Sequence, residues 1–141
     1  MRVVRLYLLS LALLTTAEPG LHAQPQALSC HGTQQVRQVA ELLFGRDIGR
    51  KLGVSESDWA RFVSREITPR FPDGLTVSNA TGQGRDPSDG TIVREPSKRV
   101  EIVLPGAADD EARLDAIVTA YKHDFQQKSV AVIVRPACVS F

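Results

Sequence analysis

The first apolar segment of the folded region fits two periods at once. Val36, Val39, Ala40, Leu43 and Phe44 have helical spacing, while Ala40, Leu42 and Phe44 alternate as one face of a strand would. The next segment is unambiguous. Ser55 with Asp58 three residues on forms a capping box, and Trp59, Phe62, Val63 and Ile67 then share one helical face, which predicts an amphipathic helix over 55–66. Pro69 disfavours helical geometry at Thr68 and lacks a backbone donor, so the helix stops there. "PDG" at 72–74 makes a tight turn in which Gly74 takes φ > 0, and "LTVSNA" then alternates as a strand. A turn-rich "GQGRDPSDG" leads to an extended segment, 91–105, interrupted by Pro96. A second helix starts at Asp109 and Asp110, whose charge suits the positive end of the helix dipole. Leu114, Ile117, Val118, Tyr121 and Phe125 form its apolar stripe. "SVAVIVR", 129–135, is almost wholly apolar and predicts a central strand covered on both faces. If the ambiguous first segment is a strand, the order is β-α-β-β-α-β: an α+β, ferredoxin-like split βαβ fold with one antiparallel sheet and two helices on one face.

The N-terminus changes the setting of this domain. Arg2 and Arg5 precede the apolar run Leu6 to Leu14, followed by a small, polar stretch, the pattern of a secretory signal peptide. The run is well short of the roughly 20 residues that span a bilayer, so no stable membrane span is expected. Cleavage after Ala17 competes with cleavage after Ala23. The second has the helix breakers Pro19 and Gly20 between the apolar core and the cut, and is preferred. The chain then divides into a signal peptide (1–23), a flexible leader (24–33) and a single domain (34–141), destined for the periplasm or secretion. "ALSC" offers Cys30 as a lipoprotein anchor, but it lies far beyond Leu14. The C-terminal "CVSF" has prenylation spacing, which an exported chain never presents to cytosolic enzymes.

Removing 1–23 takes Arg2, Arg5 and Glu18 from the 17 basic and 16 acidic side chains and leaves the two signs equal. That balance, with no basic cluster interleaved with aromatics, argues against nucleic acid as a partner. Cys30 and Cys138 are the two cysteines, and export puts both where disulfides form. Bridging them closes a loop of about 100 residues, which stabilises by about 4 to 5 kcal/mol in the chain-entropy model. A metal site from Cys30, His31, Cys138 and His123 is the alternative, but its spacing matches no zinc pattern. No metal or cofactor is therefore expected.

At "LLFGRDIG", "RFPDGLTV", "GQGRDPSDGTIVREPSK" and "PACVSF" the chain resembles a family of bacterial exported proteins catalogued as domain of unknown function 3574. The resemblance covers nearly all of 34–141 and implies a strand over 36–44, but no activity. It also implies a departure, since relatives typically carry tryptophan where this chain has Gly84.

The polar residues that stand out are Arg70 and Asp73 beside the first turn, Arg85 in the second, and Arg94, Glu95 and Lys98 in "REPSK". If the two extended segments pair antiparallel, Arg85 and the "REPSK" charges approach one hairpin and form a rim that can bind an anion. The ordinary alternative is surface ion pairs, Glu95 with Arg94 or Lys98 and Asp73 with Arg70, worth about 0 to 1 kcal/mol each. No Gly-x-Ser-x-Gly elbow, His-Glu-x-x-His or Walker loop is present, and "GQG" lacks the context of a nucleotide fingerprint. His123 reads as a solvated helix residue and Tyr121 as core. Two function classes follow. The first is a non-enzymatic binding or interaction module of the cell envelope, able to form homo-oligomers through a sheet face or edge. The second is a small enzyme on a dimeric sheet with Arg94, Glu95 and Lys98 as its polar site.

Overall fold

A computed structural model describes residues 28–49, 51–86 and 88–141; the expected signal peptide and the start of the leader lie outside the described residues. The ambiguous first segment is strand β1 (Gln35–Gly45). A short hairpin not expected from the sequence follows, β2 (Asp47–Ile48) and β3 (Lys51–Leu52). Helix α1 (Glu56–Phe62) runs on through a π-helical segment, Val63–Ile67. Then come β4 (Thr76–Arg85), β5 (Ile92–Val103), α2 (Asp110–Asp124) and β6 (Ala131–Val139). The four long strands form one antiparallel sheet in the order β4-β5-β1-β6.

The helix starts follow from local chemistry. Ser55 caps α1 through its side chain, which accepts from the Asp58 amide, while the Asp58 carboxylate accepts from the Ser55 amide in return. The Thr68 amide donates to the Val63 carbonyl at 2.8 Å, a five-residue span that widens the last turn before Pro69 ends it. Gly74 has φ 142°, the conformation its turn was expected to need. Asp110 opens α2, and its carboxylate accepts from the Gly106 and Ala107 amides at 2.8 and 3.0 Å. It braces the preceding loop, not the helix's own amides.

Residues from both helices and from one face of the central strands make a single core. Ala40, Leu42 and Phe44 of β1 and Val100 and Ile102 of β5 meet Trp59, Phe62, Ile67, Leu114, Ile117 and Tyr121. Register explains the selection, since Ala40 lies opposite Ile102 and Leu42 opposite Val100. Alternate residues of a strand face opposite sides, so β1 shows period two and its helical spacing is coincidental.

Two expectations are corrected here. "SVAVIVR" was expected to be central, yet β6 is an edge strand with Val132, Ile133 and Val134 at 40, 45 and 50% exposure. The helices cover one face of a sheet whose middle is β5 and β1, so apolar content alone misjudged the position of β6. Pro96 was expected to interrupt its segment, yet β5 runs through it. The partner that a residue-96 amide would seek, the Arg46 carbonyl, already accepts from the Gly53 and Val54 amides, both at 3.0 Å. The missing donor therefore leaves nothing unpaired. Cys30 and Cys138 are joined by a disulfide with Cα atoms 5.4 Å apart, because the end of β6 pairs with the start of β1, Cys138 opposite Val36.

Candidate functional site

The strands that bury a core on one face leave the other face open, and a groove of about 520 Å³ lies at one end of it. Its floor is β1, β4 and β5 near the β4–β5 hairpin, and its far wall is the loop from α2 to β6. Antiparallel register brings Gly45 opposite Ser97 and Gly82 opposite Glu95, all on this face. Glu95 is half-buried. Its carboxylate lies over the bare backbone of Gly45, where a β-carbon would come within 2.6 Å of Oε1. It accepts one hydrogen bond, from the Asp47 amide at 3.1 Å. Among the described residues no cation pairs with it. A carboxylate has about four acceptor sites, so most of the acceptor capacity of Glu95 is unused by the described residues.

Two further contacts shape the groove. The Gln127 side-chain amide donates to the Asp47 carbonyl at 2.8 Å and ties the wall to the floor; Gln126 before it takes a left-handed φ of 52° where the chain leaves α2. Behind the floor, the Tyr121 hydroxyl donates to the Gly45 carbonyl at 2.8 Å. Burial pushes the Tyr121 pKa well above its ordinary 10.0, against a smaller lowering by Arg46 and with a further rise from Glu95. Tyr121 is thus a neutral donor that holds Gly45 in place, and it packs against Phe44 at 4.8 Å between ring centres.

The sequence candidates divide among four places. Arg85 and Glu95 line the groove together. Arg85 is exposed and donates to the Gly90 carbonyl at 3.3 Å. Arg94 is exposed and sits opposite Gln83 in the register, on the face away from Glu95. Lys98 is also on the other face and is not exposed: its side chain is 6% accessible, and Nζ reaches Glu56 Oε2 at 2.8 Å and Asn79 Oδ1 at 2.5 Å. Strand alternation splits the expected rim of Arg94, Glu95 and Lys98. Nor does Glu95 pair with Arg94 or Lys98 as the ordinary reading supposed. Arg70 bonds the Glu66 carbonyl at 2.7 Å and carboxylate at 2.9 Å and makes no pair with Asp73. Asp73 lies on a separate hollow of about 860 Å³ at the other end of the sheet, with Thr33, Arg37 and Phe141.

Sequence reasoning missed Gly45, Gly82, Ser97 and Gln127. The signal available was glycine inside strands, which marks a bulge or a close approach. It also missed the cluster around Lys98. Arg46, 8% accessible, donates through Nη1 to Glu56 Oε1 at 2.6 Å, so one exposed carboxylate bridges two buried cations. The hydrogen bond from Lys98, then that from Arg46, holds the Glu56 pKa below its ordinary 4.5 against the opposing effect of desolvation.

The family model described as protein of unknown function DUF3574 matches residues 39–141. The chain belongs to that family. No curated protein matches it. Among solved structures it is similar to a phage SAM lyase in complex with S-methyl-5'-thioadenosine, at 17% identity and a TM-score of 0.59, covering 83% of this chain and 97% of the lyase. The same comparison with a phage SAM lyase in the apo state gives 21% identity and a TM-score of 0.53, covering 82% and 92%. At these identities the likeness is one of fold. Among the described residues no helix is long and apolar enough to cross a membrane.

Proposed function

We propose that this member of the family is an exported binding module of the cell envelope whose open-face groove takes a small cationic metabolite. The observation that carries the reading is Glu95, a half-buried carboxylate over the bare backbone of Gly45, with one amide donor and no cation partner among the described residues. A negative charge held in a concave site with unused acceptor capacity favours a cation that donates to it or packs against it. The groove volume lies within the range of small-molecule sites, about 300 to 1,000 Å³. The fold is read as ferredoxin-like, in keeping with the element order β-α-β-β-α-β and the strand order β4-β5-β1-β6. The Cys30–Cys138 disulfide supports export to an oxidising compartment.

S-adenosylmethionine, a sulfonium cation, is the first ligand to test, because two solved structures of similar fold are SAM lyases by their descriptions. Titration calorimetry of the oxidised mature chain is expected to give saturable binding. Glu95→Gln should weaken it at least tenfold and Arg94→Ala should leave it unchanged. No binding, or equal affinity in Glu95→Gln, overturns the reading. The export part is checked by N-terminal sequencing of protein recovered from the periplasm, expected to begin at Gln24; a lipid on Cys30 would overturn it.

A second reading is a small enzyme in which Glu95, with Arg85 lining the hairpin end of the same groove, replaces the expected Arg94, Glu95 and Lys98 set. The same unpaired carboxylate favours it, since it can act as a base toward a bound cation. Chromatography of S-adenosylmethionine incubated with the protein separates the two: loss of substrate that depends on Glu95 favours the enzyme. Homo-oligomers, if they form, have the unpaired edge of β6 available, where Val132 and Val134 are exposed; sedimentation analysis reads the stoichiometry.

A further inference from the structure

Three glycines lie on the groove side of the sheet, and two of them are accounted for by the protein itself. A β-carbon on Gly45 would meet the Glu95 carboxylate at 2.6 Å, and one on Gly82 would meet the Ser97 hydroxyl at 2.9 Å. Gly84 is different. It lies within β4 opposite Val93, on the same face as Gly82 and Glu95, and a β-carbon there would meet nothing within 4 Å. Its φ lies outside the left-handed range in which only glycine is at ease. Glycine inside a strand costs stability and is found where another group approaches the backbone closely. Among the described residues nothing fills the place of that β-carbon.

We infer that the bare backbone at Gly84 is the seat for a flat ring of the ligand, which makes residue 84 the specificity-determining position of the groove. The inference rests on the reading of Glu95 as the cation site. Gly82 is level with Glu95, and Gly84 lies two residues further along the strand, about 7 Å in the strand direction at about 3.4 Å per residue, while the Glu95 carboxylate lies across the sheet over Gly45. The groove therefore suits an elongated molecule with a planar group at one end and a cationic centre at the other, the chemistry of a nucleoside sulfonium. Arg85 and Lys128 line the same end of the groove. A side chain at residue 84 would start in the ring's place, since no described atom lies within 4 Å of its β-carbon.

The test uses two ligands that share the ring and differ in charge, S-adenosylmethionine and the neutral S-methyl-5'-thioadenosine, titrated into the oxidised mature protein. Gly84→Leu is expected to keep the wild-type melting temperature or raise it and to lower the affinity for both ligands at least tenfold. Glu95→Gln is expected to lower only the affinity for the cation and to leave the neutral ligand within about twofold. Gly84→Ala, which adds the β-carbon alone, is the second variant should the leucine protein fail to fold, with a smaller loss in the same direction. If both Gly84 variants bind as wild type while Glu95→Gln loses the cation, the ring seat is wrong and the cation site stands. If Gly84→Leu loses both ligands while Glu95→Gln loses neither, the seat stands and the cation reading fails. Absence of binding of either ligand to the wild type overturns both.

Discussion

The two faces of the sheet are made by the same strands, residue by alternate residue, and they have opposite physical characters. On the helix side Ala40, Leu42, Phe44, Val100 and Ile102 are at most 1% exposed. Two cations there are sealed as well, Arg46 and Lys98, at 8 and 6% side-chain accessibility, and both pair with the exposed Glu56. On the open side the middle of the sheet carries a quartet of charges. Arg99 lies 3.0 Å from Glu41 and 3.0 Å from Glu101, and Arg135 is 3.8 and 3.6 Å from the same two carboxylates. Beyond them the glycines leave backbone bare beside Glu95. The packed face loses free energy for every atom removed from it, whereas the open face has room for added atoms and solvent to screen its charges. Stability and binding are therefore expected to separate by face.

The sharpest way to break this contrast is Phe44→Ala. Phe44 touches the rings of Trp59, Phe62 and Tyr121, and its truncation should cost about 3 to 5 kcal/mol in urea unfolding. A loss below about 1 kcal/mol would mean that the packed face collapses around the hole far more readily than a close-packed core does.

Next is Lys98→Ala, expected to cost about 1 to 3 kcal/mol, because it removes two hydrogen bonds made by a sealed ammonium together with the packing of its buried stem, while the exposed Arg94→Ala should change stability by less than about 0.5 kcal/mol. Equal effects would place Lys98 among ordinary surface charges, as its sequence context suggested. The same cluster has a pH signature. The folded pKa of Glu56 is depressed, so its contribution is present above the ordinary 4.5 and is lost as pH falls below it. Glu56→Gln should remove that part of the acid slope in thermal melts taken between pH 6 and about pH 3.

Tyr121→Phe removes the donor to the Gly45 carbonyl and should cost about 1 kcal/mol. It joins the two faces, since Gly45 also underlies Glu95. Binding in the groove should weaken as well, with titration calorimetry as the measure, and unchanged affinity would show that Glu95 needs no support from behind the sheet. The smallest effect is expected on the open face itself. Glu101→Gln should cost less than about 1 kcal/mol, and the cost should shrink in high salt; a larger, salt-insensitive loss would mean that the quartet is covered in solution.

Much of the fold was legible in the chain. Ser55 and Asp58 announced α1, Pro69 and Gly74 its end and the following turn, and the stripe from Leu114 to Phe125 announced α2, because caps, prolines and amphipathic faces act over a few residues. The β1 segment was open between two periods until the family resemblance favoured a strand, since one apolar run satisfied both. The site was less legible. Arg85 and Glu95 were singled out and do share the groove, but Lys98 belongs to the opposite face, and Arg70 turns back to its own helix. Ion-pair partners depend on which face a residue occupies and on what crosses that face, which sequence distance does not encode.

By itself, then, the sequence determined the elements with local causes, the two turns, and two cysteines 108 residues apart. Only the tertiary structure decided that β6, the most apolar strand, lies at the edge, because strand order is set by how the whole sheet packs under two helices. Only the tertiary structure brought Gly45, Gly82 and Glu95 to one place, since those residues come from three strands and meet through register. The meaning of each glycine is likewise a matter of neighbours. Gly45 and Gly82 make room for groups of the protein, and Gly84 leaves space that no described residue fills.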